Sequence, residues 1–116
     1  VGEFLYCWLR TAFLAAREYR RVGFDVLQAC NPPDTYFALA LLYRPLGKRF
    51  VYDQHDLCPE LYAARFARPN KAILKTLLLL EKGTYRTADH VIATNESYRN
   101  TAIERGRVPG HSVTVV

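Results

Sequence analysis

Polar side chains concentrate in three segments of this 116-residue sequence, each directly after a short apolar run. The segments are residues 31–34 (NPPD), residues 53–60 (DQHDLCPE) and residues 94–97 (TNES). His55 is the residue best suited to chemistry, because carboxylates on both sides of an imidazole can orient it and hold its protonated form. The residue types therefore predict a binding or catalytic site centred on His55.

Several neighbours of His55 also have simpler structural interpretations. Asp34 and Asn95 are residue types that cap the first turn of a helix. Glu60 follows Pro59 and would favour the positive end of a helix. Both interpretations stay open for these residues. The candidates for lining the site, apart from His55, are Asn31, Asp34, Asp56, Glu60, Asn95, Glu96 and Ser97.

The sequence argues against a metal centre and against a cysteine nucleophile. Asp53, His55, Asp56 and Cys58 have suitable ligand atoms, but alternate positions at a strand end point in opposite directions, and a closed site needs convergent ligands. Nothing beside Cys58 resembles an activated thiol site. The sequence also has no glycine-rich phosphate-binding motif, so we predict no metal and no cofactor in this chain.

Apolar runs and helical periodicity alternate along the chain. Strands are predicted at residues 25–30, 49–53, 90–94 and 112–116, and the intervening segments predict helices, with a break at Pro69-Asn70. This alternation predicts an α/β fold: a Rossmann-like parallel sheet of about four strands with flanking helices, each strand covered on both faces. The carboxyl ends of the strands then share one edge, where such sheets bind ligands.

Positive charge is concentrated in residues 65–86, which contain six cations and one acid, Glu81. On a helix over residues 68–86, five cations fall within about 60° of one another around the helix axis. Leu78 and Leu79 flank this basic stripe, and Ile73 lies on the opposite side of the helix. The pattern fits either a solvated helix face or a helix resting on an anionic membrane surface. The five cations are Arg68, Lys71, Lys75, Lys82 and Arg86.

Composition narrows the class of protein further. Half of the residues are hydrophobic, 23% are charged and the net charge is +5, as in a globular domain. No apolar run approaches the ~20 residues of a membrane-spanning helix. Three cysteines without a CxxC motif predict a reducing, cytoplasmic setting. Scattered aromatic residues argue against nucleic acid as a partner. The start at Val1 and the lack of methionine predict an excerpt from a longer protein.

The segments NPPD, VYDQHDLCPELY and ADHVIATNESYR together resemble bacterial family 4 glycosyltransferases. The resemblance is to the second part of their N-terminal domain, and it is clearest from Phe24 onward. These enzymes have the GT-B architecture, in which two Rossmann-like domains face a cleft. The resemblance implies that residues 1–116 form a partial N-terminal domain. The family's first strand and its C-terminal donor domain lie outside this sequence, so the chain alone is expected to be inactive. It is also expected to expose an apolar patch on one sheet face or edge, where those parts would pack.

The resemblance also implies a reaction. The full-length enzyme would transfer a sugar from a nucleotide sugar, with retention of configuration, to a saccharide or lipid-linked acceptor in cell-envelope polysaccharide biosynthesis. His55 occupies the place of a histidine that touches the transferred sugar or the acceptor. We expect it to act by hydrogen bonding and electrostatics, because the donor phosphate is thought to take the proton in this family. The expected location is cytoplasmic, at the inner face of the membrane.

A second interpretation comes from a different class of protein. The chain would be a non-catalytic α/β module that attaches to a membrane or a protein through the basic helix. A second Rossmann-like domain downstream would favour the enzyme, and the expected partners of that enzyme are its C-terminal domain, the acceptor and an anionic membrane surface.

Overall fold

The structure, a computed structural model, describes residues 1–116. It contains five α-helices and four β-strands, and one-turn 3-10 helices at Arg44–Leu46 and Gly110–Ser112. In chain order the elements are α1 (Gly2–Arg21), β1 (Val26–Cys30), α2 (Phe37–Tyr43), β2 (Arg49–Gln54), α3 (Cys58–Arg65), α4 (Lys71–Thr87), β3 (His90–Ala93), α5 (Glu96–Glu104) and β4 (Val113–Val115).

The four strands form one parallel sheet in the order β1-β2-β3-β4. This confirms the predicted α/β fold and places every strand within a residue or so of its expected range. The register aligns Cys30 with Asp53 and Gln54 with Ala93. The segments that follow β1, β2 and β3 therefore leave the sheet at the same edge.

One face of the sheet carries the hydrophobic core. Phe50, Tyr52 and Val91 are buried there against side chains of α2, α4 and α5. The ring of Tyr52 meets that of Tyr85 edge-on, with centroids 5.7 Å apart. The Tyr85 hydroxyl accepts a 2.7 Å hydrogen bond from the amide of Gln54, which satisfies the donor of a fully buried side chain. The core thus fixes the position of the carboxyl end of β2.

The opposite face of the sheet is open. Parallel sheets are usually covered on both faces, but a partial domain is expected to leave a patch of one sheet face or edge exposed. Successive residues of a strand point to opposite faces, and in β1 the residues Val26, Gln28 and Cys30 are exposed while Leu27 and Ala29 pack towards the core. Thr114 of β4 is exposed as well. The mixed composition of β1 reflects this one-sided burial.

The sequence predicts a helix over about residues 34–43, whose start differs in the structure, and a long helix over residues 71–87, which the structure confirms. Helix α2 begins at Phe37, not at residue 34, because Asp34 is buried and bonded within the core. Helix α4 begins at Lys71, after Asn70, whose side chain accepts hydrogen bonds from two amides of the first turn. Arg68 therefore lies before the helix. None of the helices combines the length and the apolar character that crossing a bilayer requires.

Candidate functional site

Asn31 connects the segment after β1 to the segment after β2. Its side-chain oxygen accepts hydrogen bonds from the backbone amides of His55 and Asp56, at 2.7 and 3.1 Å, and its amide group donates to the carbonyl oxygen of Asp56 at 2.6 Å. Asn31 is 4% exposed. A buried side chain with three such bonds holds the backbone at His55 in one conformation.

The side chain of His55 lies on the open face of the sheet. Its Nε2 is 3.1 Å from Oδ1 of Asp53, and this is the contact that orients the ring. The same carboxylate accepts a 3.1 Å hydrogen bond from Gln28 and a 3.5 Å contact from the thiol of Cys30. Burial, followed by the charge of Asp53, raises the pKa of the Cys30 thiol. About half of the His55 side chain remains accessible to ligands.

Asp34 has a structural role in the core. Its Oδ1 accepts a 2.6 Å hydrogen bond from the hydroxyl of Tyr52, and its Oδ2 is buried without a partner. It does not cap α2, whose N-cap residue is Tyr36. Burial and the nearby Asp34 raise the pKa of the Cys58 thiol to about 12, so this cysteine stays protonated. This agrees with the expectation that Cys58 is no nucleophile.

Glu60 belongs to an ion-pair cluster. Both of its carboxylate oxygens accept hydrogen bonds from Arg105, just after α5, and these bonds lower the pKa of the carboxyl. Arg105 also donates a 2.7 Å bond to Glu81 of α4, whose side chain is 3% exposed. Burial raises the pKa of Glu81, against the opposing effect of Arg105. Glu60 thus ties α3 to the neighbouring helices.

The third polar segment, residues 94–97, makes no hydrogen bond to the other two segments. Asn95 accepts a 2.8 Å hydrogen bond from the amide of Tyr98 and caps α5, as its structural interpretation predicted. Glu96 and Ser97 are exposed in the first turn of that helix, and Glu96 lies 3.9 Å from Arg99. These residues lie at the same edge of the sheet as His55, but their hydrogen bonds are local.

An apolar groove opens on the helix side of the same edge. Its volume is about 640 Å³, and Asp34 and Cys58 are among the residues that line it. The remainder of the groove is formed mainly by apolar side chains of the first, third and fourth helices and of the proline pair, namely Phe4, Pro32, Pro33, Leu61, Tyr62, Phe66, Leu77 and Leu80. The carboxyl edge therefore has a polar site on one side and an apolar groove on the other.

Helix α4 carries the predicted stripe of positive charge. Arg68 and the four cations of the helix are exposed, and none of the five forms an ion pair within the chain. Leu78 and Leu79 beside them are 37% and 58% exposed. Ile73 was expected on the buried side but is 47% exposed, because the core does not extend to the first turn of α4.

Sequence reasoning did not identify the roles of Cys30 and Glu81. Cys30 is brought to Asp53 by strand register, which the sequence does not reveal. For Glu81 there was a local signal: it stands four residues from both Leu77 and Tyr85, on the apolar face of the helix. A single acid at that position of a basic helix indicates a buried ion pair.

A four-stranded parallel sheet with flanking helices defines a Rossmann-like α/β domain, a fold whose ligands commonly bind beyond the carboxyl ends of the strands. The family model described as Glycosyltransferase Family 4 matches residues 3–116, and the chain therefore belongs to this family. A glycosyltransferase-type function follows from that membership. Neither the curated proteins nor the solved structures contain a match.

Proposed function

We propose that the full-length protein transfers a sugar from a nucleotide-sugar donor to an acceptor with retention of configuration. This chain would form the acceptor side of the cleft, as part of the N-terminal domain, and a separate C-terminal domain would bind the donor. The observation that carries the proposal is the defined position of His55 at the carboxyl end of β2. Asn31 holds its backbone, and Asp53 orients its ring.

His55 is suited to hydrogen bonding with a sugar. Its ring bonds to Asp53 through Nε2, which leaves Nδ1 without a partner in the chain. A ring nitrogen held in place in this way is available to hydrogen-bond with a sugar or phosphate oxygen of the substrate. Exposed Glu96 and Ser97, at the end of the neighbouring strand, add polar groups for an acceptor.

The apolar groove favours a lipid-linked acceptor over a free saccharide. It opens at the same edge as His55, and its wall continues into the exposed side chains of Leu61 and Phe66. A hydrocarbon chain placed there would gain about 0.8 kcal/mol for each buried CH₂ group. The sugar-bearing head of such an acceptor would then lie towards the polar site.

The test is the turnover of the full-length enzyme after His55→Ala. Loss of one positioned donor costs about 2–4 kcal/mol at the transition state, so turnover should fall by a factor of ten or more. His111→Ala is the matched control, because His111 is exposed and precedes β4 at the opposite edge of the sheet. Turnover of His55→Ala within twofold of the control, with folding intact, would refute the catalytic assignment.

The exposed cations of α4 support a second function, attachment to an anionic membrane surface at the inner face of the membrane. Each cation near such a surface contributes about 1 kcal/mol, and Leu78 and Leu79 are positioned to enter the interface. This attachment would hold the cleft where a lipid-linked acceptor arrives. If the protein is not an enzyme, the same basic surface fits the alternative interpretation, a non-catalytic α/β module that binds a membrane.

Vesicle co-sedimentation at low and high salt tests this attachment. We expect binding to anionic vesicles that weakens with salt and that is lost when Lys71, Lys75 and Lys82 are replaced by Gln. The control removes three exposed cations of α1 in the same way, namely Arg17, Arg20 and Arg21. Equal binding to anionic and neutral vesicles, or equal effects of both triple variants, would contradict the role of α4.

A further inference from the structure

Three side chains with metal-binding atoms meet on the open face of the sheet, at the ends of β1 and β2. The atoms are the thiol sulfur of Cys30, a carboxylate oxygen of Asp53 and a ring nitrogen of His55, and all lie within 4.8 Å of one another. We propose that Cys30, Asp53 and His55 form a binding site for a divalent transition-metal ion of the Zn²⁺ type. The proposal departs from the expectation of no metal, which considered Cys58 and Asp56 in place of Cys30.

The backbone explains why these residues converge. Cys30 and Asp53 are register partners on adjacent parallel strands, so their side chains leave the sheet on the same face. His55 lies two residues beyond Asp53, and its backbone amide is bonded to Asn31. The expectation that alternate positions diverge is wrong for Asp53 and His55, because residues two apart on a strand point to the same face. Cys30 comes from the neighbouring strand.

The distances are close to those of a metal site. Zn²⁺ binds thiolate at about 2.3 Å and nitrogen or oxygen at about 2.0–2.1 Å. Tetrahedral angles then separate sulfur from oxygen by about 3.5 Å, and nitrogen from oxygen by about 3.3 Å. In the chain, Sγ of Cys30 lies 3.5 Å from Oδ2 of Asp53, and Nε2 of His55 lies 3.1 Å from Oδ1, the other oxygen of that carboxylate. One ligand atom from each of the three residues lies within 4.8 Å of the others. Side-chain rotations that bring the sulfur and the ring nitrogen closer together would let all three groups contact one ion.

The ligand set selects the kind of ion. One thiolate, one imidazole and one carboxylate suit Zn²⁺ and similar transition ions, whereas Mg²⁺ and Ca²⁺ prefer oxygen ligands alone. On binding, the Cys30 thiol loses its proton to solvent, and the two negative charges of Cys30 and Asp53 balance the ion. His55 contributes a neutral nitrogen. Since His55 is half exposed, water would complete the fourth position, as in sites with three protein ligands.

Gln28 has the position of a residue that supports metal ligands. It lies two residues before Cys30 on the same strand face, and its side-chain amide donates a 3.1 Å hydrogen bond to Oδ2 of Asp53. Outer partners of this kind orient the ligating carboxylate, and their removal commonly lowers metal affinity by about 10–100-fold. Gln28 therefore gives the proposal a second, independent prediction.

The test is a Co²⁺ titration of the purified full-length protein under a reductant without thiols. Co²⁺ should produce a thiolate-to-cobalt charge-transfer band, which Zn²⁺ should abolish by displacement. Cys30→Ser should lose the band, and Gln28→Ala should weaken binding by about tenfold or more. Cys7→Ser is the matched control, because Cys7 is also an exposed thiol but lies on α1, and it should leave the band unchanged.

Two results would overturn the proposal: no band in the folded wild-type protein, or a band that survives in Cys30→Ser. Circular dichroism of each variant verifies folding. If Cys30→Ser does not fold, His55→Ala takes its place, because loss of this ligand should also weaken Co²⁺ binding. The measurement needs no sugar substrate. A protein that binds Co²⁺ without transferring sugar would contradict only the proposed function, and one that transfers sugar without binding Co²⁺ would contradict only the metal site.

Discussion

Replacement of Asn31 by alanine should both destabilise the protein and impair the site. The variant loses three hydrogen bonds from a buried side chain, at 2.6, 2.7 and 3.1 Å. Each is worth about 1 kcal/mol net, and the freed backbone groups of His55 and Asp56 regain only part of this from water. We therefore expect the free energy of unfolding to fall by about 2–4 kcal/mol.

The consequence for activity follows from the same bonds. Without them the backbone at His55 is no longer held, and misplacement of a positioned group by about 1 Å can cost 100-fold in rate. Turnover of the full-length enzyme should therefore fall by about tenfold or more, even at temperatures where the variant remains folded. Urea unfolding measures the stability, and turnover is compared at matched folded fraction.

Asn70→Ala provides the matched control for this prediction. Asn70 is also an asparagine that bonds two backbone amides, but it is exposed and caps α4, far along the chain from His55. Loss of such a cap costs about 1 kcal/mol and should leave turnover unchanged. The reasoning is refuted if Asn31→Ala costs no more stability than Asn70→Ala, or if it loses stability but retains full turnover.

Two further predictions concern stability. Arg105→Met should lower the free energy of unfolding near neutral pH by about 2–3 kcal/mol, because it leaves the buried Glu81 carboxylate without its partner. Adding Glu81→Gln to this variant should restore part of the lost stability. Urea unfolding of the wild type, both single variants and the double variant measures both effects. Gly106→Ala places a Cβ 2.6 Å from a backbone oxygen and from the Tyr85 ring. It should cost about 1–3 kcal/mol and lower Tm, whereas Gly2→Ala, with open space around it, should not.

The order and type of the elements could be predicted from the sequence because local signals agreed with the fold. Asn70 and Asn95 mark helix starts with their own side chains, and the apolar runs of β3 and β4 identify buried strands. The sequence predicted an exposed patch on one sheet face or edge, but not which residues form it, because the burial of alternate residues in β1 depends on the elements packed against that strand. Asp34 was ambiguous for a related reason: its partner, Tyr52, lies 18 residues away.

Some contacts within the candidate site could be predicted from the sequence. His55 was identified from its flanking carboxylates, and the structure pairs it with Asp53. The residues that hold the site together come from another strand: Asn31 and Cys30 are separated from their partners by 23 or more residues. Such contacts depend on the register of β1 against β2, and a one-residue shift would send Cys30 to the core face. A single sequence contains no information on that register.

Asp53 connects the two proposals made for this surface. Its carboxylate orients His55 through Nε2, the arrangement that sugar transfer would use. A bound metal ion would occupy that same nitrogen and would neutralise the carboxylate, so the ring could no longer bond to Asp53. Metal and acceptor would then oppose each other's binding, and by thermodynamic linkage each must weaken the other by the same factor. Transition-metal ions should therefore inhibit the enzyme competitively with the acceptor, and Cys30→Ser should relieve that inhibition.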